Sequence, residues 1–192
     1  MVAAVGFSQL RWDVKFGMNF SNMTKLDDSK AITGFTMGVG ADYAFNENWA
    51  FQPGIMITSK GYKVKYGDEK ATARPVYLDI PILAAYKFDI TDNTKFVINA
   101  GPYLAFGLGG KYKEHWDGGD DWKIFDDKGV DCNRFDLGLQ WGLGVELGEH
   151  YLVNFTAQHG FIDPFDYDRY NNKGDKIHPK NMNFAIGVGY RF

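Results

Sequence analysis

The stretch Phe135–Leu147 reads F-D-L-G-L-Q-W-G-L-G-V-E-L, and its alternation decides the fold. One set is Phe135, Leu137, Leu139, Trp141, Leu143, Val145 and Leu147; the other is Asp136, Gly138, Gln140, Gly142, Gly144 and Glu146. Side chains of a strand point alternately to its two faces, so one face is apolar and the other is glycine or polar. Strands of soluble sandwiches usually run about five or six residues. This one, at ~3.3 Å per residue and a tilt of about 45°, is long enough to cross a bilayer core of roughly 25–30 Å.

The same pattern recurs. Strands are expected at 10–20, 32–45, 49–66, 76–88, 96–112, 135–147, 151–159 and 182–192. In 49–66 the apolar parity changes from odd (Trp49, Phe51, Ile55, Ile57) to even (Tyr62, Val64, Tyr66), which predicts a β-bulge near Ser59-Lys60-Gly61. Connections after the second, fourth and sixth strands are short. Those after the first, third, fifth and seventh read as long and polar, including 67–74, 113–133 and 160–180. An up-and-down antiparallel sheet collects the short turns at one end, as outer-membrane barrels do on the periplasmic side. The fold class is therefore all-β: an eight-stranded antiparallel up-and-down transmembrane β-barrel. Residues 10–192 form this domain. Residues 1–9 (M-V-A-A-V-G-F-S-Q) read either as a signal-peptide remnant or as a disordered N-terminus.

Composition agrees. The 192 residues have a mean hydropathy of -0.33, and no apolar run reaches the length of a membrane helix. A transmembrane barrel needs only alternate apolar residues, so this value is compatible with one. Aromatic residues make up 17%, with 23 glycines, and aromatics concentrate at the short-turn ends. Tyr43, Trp49, Tyr86, Tyr151, Tyr190 and Phe192 are expected to form a membrane-interface girdle, where a ring is half apolar and half wet. A net charge of -3 gives no support for nucleic-acid binding. The single cysteine, Cys132, excludes an intramolecular disulfide.

The face opposite the apolar one carries glycine with Arg11, Asp13, Lys15, Asp42, Asp79, Lys87, Asp136, Glu146 and Arg191. These charges are expected to neutralise one another and fill the lumen, since eight strands enclose little more than their own side chains. The opposite arrangement, an apolar lumen, would make a soluble lipocalin-like binder. The loop segment F-I-D-P-F-D-Y-D-R-Y supplies a candidate contact surface for a protein or glycan: Phe161, Asp163, Phe165, Asp166, Tyr167, Asp168, Arg169 and Tyr170. A loop packed on itself is the other reading. The acidic loop with Asp117, Asp120, Asp121, Asp126, Asp127 and Asp131 lacks calcium-loop spacing, so no metal site and no cofactor are expected. Among serines and histidines, only Ser21 and His178 come from neighbouring strands at the long-loop end. No catalytic residue is assigned and the expectation is a non-enzyme, with a lipid A-modifying barrel enzyme as the alternative.

The segments V-Y-L-D-I-P-I-L-A-A-Y-K-F (76–88), F-Q-P-G-I-M-I-T-S-K-G (51–61), A-G-P-Y-L-A-F-G-L-G-G (100–110) and R-F-D-L-G-L-Q-W-G-L-G-V-E-L (134–147) resemble the PorT-like outer-membrane β-barrel family of Bacteroidetes. The resemblance covers nearly the whole chain after Gln9, and Tyr77-Leu78-Asp79-Ile80-Pro81 is its most specific part. It implies an eight-stranded barrel in the bacterial outer membrane and, more loosely, a place in a secretion-related envelope assembly. Prolines 53, 81 and 102, also part of the family pattern, predict bulges or local widening. Gly187, Tyr190 and Phe192 resemble the C-terminal signal read by the barrel assembly machinery. Outer-membrane lipid and that machinery are the expected partners.

Overall fold

The computed structural model describes residues 10–26, 28–66, 69–115, 120–126, 132–165, 168–170 and 174–192. Eight strands form the wall: β1 (Leu10–Thr24), β2 (Ile32–Ala44), β3 (Trp49–Ser59), β4 (Glu69–Thr91), β5 (Thr94–Glu114), β6 (Phe135–Leu147), β7 (Tyr151–Gly160) and β8 (Lys180–Arg191). Their hydrogen-bonded order is β4-β3-β2-β1-β8-β7-β6-β5, and β5 pairs back onto β4 to close the ring. Every neighbour is antiparallel, and the ladder between the first and last strands runs from Asp13↔Arg191 to Thr24↔Lys180. Closure leaves no edge within the wall, so its backbone amides are satisfied without water.

The alternation sets the two surfaces. On β1, Trp12, Val14, Phe16, Met18 and Phe20 face out, while Asp13 and Asn19 are buried inside. On β6, Leu139, Trp141 and Leu143 face out and Asp136, Gln140 and Glu146 face in. The apolar surface lies on the outside, which overturns the lipocalin-like alternative. Trp141 stands at mid-height on β6 and touches the ring of Phe155, with centroids 5.7 Å apart. Trp141→Arg is expected to destabilise the barrel in vesicles by about 2–4 kcal/mol. A urea titration showing no loss would contradict a lipid-facing position.

Inward glycines let the wall curve tightly. A Cβ at Gly138 would lie 2.1 Å from the His159 carbonyl oxygen and 2.7 Å from the Tyr103 ring. Only glycine fits there without moving backbone.

Two expectations are corrected. The predicted bulge at 59–61 is absent. Ser59 pairs with Val76 and Tyr62 with Ala73, a single register, and the Lys60 amide donates to the Pro75 carbonyl at 3.0 Å. Tyr62 and Val64 face the same side as Gln52 and Thr58: inward. Parity of direction never changes; the inside turns from polar to apolar. The bulge lies instead on β5, where Val76↔Gly109 and Tyr77↔Gly107 leave Leu108 extra. At Pro53, Pro81 and Pro102 the ladders skip pairs while the register is kept on both sides, so the prolines widen the wall locally without a bulge.

The second correction concerns 67–74. Residues 69–74 are strand, paired with Tyr62–Tyr66 on one side and with β5 on the other. With Ser29–Lys30 and Asp121–Lys123 on its flanks, this extension is a five-stranded blade rising from the wall.

Candidate functional site

The lumen is filled in layers. At the short-turn end, Arg191 Nη1 donates to Glu146 at 2.6 Å, and its Nη2 lies 3.2 Å from Asp42 and 3.4 Å from Asp13. Lys87 bridges Asp42 at 2.8 Å and Glu146 at 3.1 Å, and Lys15 reaches Asp13 at 3.2 Å. Three carboxylates meet three cations, drawn from strands β1, β2, β4, β6 and β8. Burial without this balance would leave a charge in a low-dielectric space.

Above lies an amide relay. Asn19 donates to Asn183 (2.7 Å), Asn183 to Gln158 (3.1 Å), and Gln158 to both Gln140 (2.9 Å) and Asp79 (3.2 Å). A cavity of about 90 Å³ beside these amides has room for ordered water. The expected mutual neutralisation is thus seen in detail for Asp13, Lys15, Asp42, Lys87, Glu146 and Arg191, and for Asp79 with a partner the alternation had not placed inside.

That partner is Lys60. Its ammonium lies 3.0 Å from Asp79 Oδ1, off the hydrogen-bonding direction, so the attraction is charge on charge. It also sits over the rings of Tyr103 (4.7 Å) and Tyr77 (5.3 Å), which stabilise a desolvated cation. Tyr103 Oη and Asn181 both donate to Asp136 at 3.0 Å. A signal for this site existed in the sequence: Lys60 shares the even parity of Gln52 and Thr58.

At the mouth the lumen becomes apolar. Met23, Tyr62, Val64, Tyr77 and Tyr103 pack with Ile124, Phe125 and Phe165, which come from the segments joining β5 to β6 and β7 to β8. Phe125 meets Tyr77 edge-on (5.7 Å), and Phe165 meets Tyr62 likewise (6.2 Å). The loops are tied down by Asn133 N to Pro164 O (2.9 Å), a bridge between Cys132 and Phe165, and Arg134 donating to the Phe125 carbonyl.

This changes the candidate contact surface. Phe165 is 7% exposed and belongs to the mouth core, so it is removed from that surface. Asp163 turns inward on its own loop, accepting from the Phe165 amide (3.1 Å) and facing His178 at 3.2 Å. Phe161 and Tyr170 remain exposed, and Asp168 holds Lys176 at 2.7 Å, raising that ammonium above its usual range. The Arg169 backbone pairs with Ile177; Asp166 and Tyr167 lie outside the described residues. At the other end, Tyr43, Trp49, Tyr151, Tyr190 and Phe192 are exposed on the outer wall. Tyr86 is half-buried against Trp49, 5.0 Å away.

A family description, the outer membrane protein beta-barrel domain, matches residues 7–166. The chain belongs to this family. It is a protein of the bacterial outer membrane. No curated protein matches this outer-membrane barrel. Three solved structures are similar to it: Ail, the attachment invasion locus protein of Yersinia pestis, at 17% identity over 96% of this chain and 99% of that one, TM-score 0.47; Neisserial surface protein A, at 14% over 94% and 97%, TM-score 0.48; and the outer membrane enzyme PagL, at 15% over 92% and 97%, TM-score 0.48.

In this outer-membrane barrel Ser21 and His178 are not brought together. Ser21 is buried in the lumen and pairs with Asn183 on β8, five residues beyond His178, which precedes that strand. His178 is exposed and its ring faces Asp163. His150 stacks on Tyr190 at the opposite end, and its Nδ1 lies 2.7 Å from the Arg191 carbonyl. Asp121 and Asp126 pair with Lys113 and Lys123; Asp117, Asp127 and Asp131 lie outside the described residues.

Proposed function

We propose that this protein is a non-enzymatic barrel with a filled lumen, whose outer end is a rigid display surface for a partner. The observation that carries the reading is the seating of Ile124, Phe125 and Phe165 in the mouth. A hinged gate or an open pore would leave these side chains in water. The short turns lie on the periplasmic side and the blade with its loops outside the cell, as the rule for bacterial barrels gives. The aromatic ring of Tyr43, Trp49, Tyr86, Tyr151, Tyr190 and Phe192 serves the inner-leaflet interface. Phe161 and Tyr170 are the exposed anchors for a protein or glycan. Membership of the PorT-like group, and with it a place in an envelope assembly, rests on the sequence resemblance.

The test is heat-modifiable gel mobility with protease shaving of intact cells. A folded band that shifts on boiling, and cleavage confined to the long-loop end, are expected. Phe125→Ala should speed cleavage within 113–133 while the folded band persists, because the loop loses its anchor and the wall does not. Unchanged cleavage would remove the cap. For catalysis, His178→Ala should leave the host's lipid A unchanged; an altered lipid A would turn the reading to an enzyme.

A further inference from the structure

The blade continues the barrel wall, so its two faces continue the two surfaces of the wall. Its inner face carries Tyr62, Val64, Ala71 and Ala73, all buried against the mouth. Its outer face is the upward extension of the lipid-facing surface. Residues directly opposite in a ladder share a face. On the outer face Lys30 lies opposite Lys63, Lys65 opposite Lys70, Arg74 opposite Lys111, and Lys111 opposite Lys123.

Like charges directly across a ladder destabilise a sheet, and here this happens four times in a chain of net charge -3. Asp121 lies 2.7 Å from the neighbouring Lys113 and Asp126 lies 3.6 Å from Lys123, while the Arg74 guanidinium donates to the Thr33 carbonyl at 3.0 Å. Lysines on edge strands blunt aggregation, which accounts for Lys30 and Lys123. It does not account for Arg74 and Lys111, which lie on interior strands of the blade. An external anion does.

The position selects the anion. Val76 is the next outward residue below Arg74 on β4, and Leu108 lies just below Lys111 on β5. Cations therefore begin where the apolar wall ends. A groove of about 700 Å³ opens on this boundary, lined by Val76 together with Lys63, Arg74, Lys111 and Lys113. A soluble polyanion would need the cations alone. A ligand with acyl chains below and phosphate above matches both halves of the groove.

We propose that this face binds the phosphates of an anionic glycolipid of the outer leaflet, with its acyl chains against the wall beneath. This rests on the orientation given under the proposed function. The test uses the full chain folded in phosphatidylcholine vesicles, titrated with diphosphoryl lipid A and with lipid A stripped of phosphate. Tight binding of the phosphorylated form, weakened by salt, is expected. The combination Lys63→Gln, Arg74→Gln and Lys111→Gln should weaken it roughly 100-fold, since each cation near an anionic surface contributes about fivefold. Lys95→Gln, at the other end, should leave it unchanged. Equal binding of the two lipid A forms would overturn the inference, and this arm needs no variant, so it decides even if the triple substitution fails to fold. Displacement of lipid A by a soluble polysulfate with no effect of acyl chains would also overturn it, assigning the face to a polyanion in solution. Shaving that places the blade in the periplasm would overturn the orientation and this occupant together. An in vitro loss of phosphate selectivity overturns the occupant alone.

Discussion

Replacing Arg191 by alanine is expected to destabilise the folded barrel by about 3–5 kcal/mol, the range for breaking a buried charge network on one side. The guanidinium is 2% exposed and spans Glu146, Asp42 and Asp13, so its removal leaves three carboxylates against Lys15 and Lys87. Urea unfolding in vesicles, followed by gel mobility, measures the loss. Arg191→Lys should recover part, because one ammonium cannot reach in two directions as the planar fork does. Glu146→Gln added to Arg191→Ala should recover more, since it restores the balance of charge. A loss below about 1 kcal/mol would mean that solvent reaches these groups and that the network is not what fills this end of the lumen.

Lys60→Ala is expected to lose a similar amount, about 3–5 kcal/mol, by leaving Asp79 buried without its cation. It differs from the first substitution in where the damage appears. Lys60 lies between Tyr77 and Tyr103, and the Tyr77 ring also supports Phe125, so the mouth should loosen before the wall unfolds. Faster proteolysis within 113–133 at urea concentrations that leave the folded band intact is the signature. Lys60→Met with Asp79→Asn should hold the mouth closed, since a neutral pair of similar volume removes the stranded charge. If the single and double variants unfold alike, the charge pair is not what seats the cap.

The wall was legible from alternation because lipid outside and polar filling inside keep the two sets of residues chemically distinct from Leu10 to Arg191. The upper part of β3 and β4 was not. Hydrophobic parity reports which side of a strand is dry, and direction follows only while the dry side stays the same. At Tyr62 and Val64 the dry side is the mouth, dried by Phe125 and Phe165 from distant segments. No local reading of 59–66 contains that information, so a change of solvent looked like a change of direction. Residues 69–74 alternate lysine, threonine and arginine with alanine, a pattern too weak in strand-forming residues to stand out from a loop. The inward charges were visible one by one. Their partners depend on the stagger between strands far apart in the chain, as for Arg191 with Asp42 or Lys60 with Asp79.

The unbroken register through Lys60 and Gly61 constrains how this protein can change length. The hairpin of β3's extension and β4 has no bulge to absorb an odd residue. A single insertion in either arm above Ser59 would exchange the faces from that point on, turning lysines into the aromatic mouth and tyrosine toward the surroundings. Two residues added to each arm would keep the faces and lift the tip by ~7 Å. Relatives that differ in the height of this hairpin should therefore differ by even numbers of residues per arm. An engineered epitope inserted between Tyr66 and Glu69 would be raised or lowered in the same steps, like a blade on a notched rail.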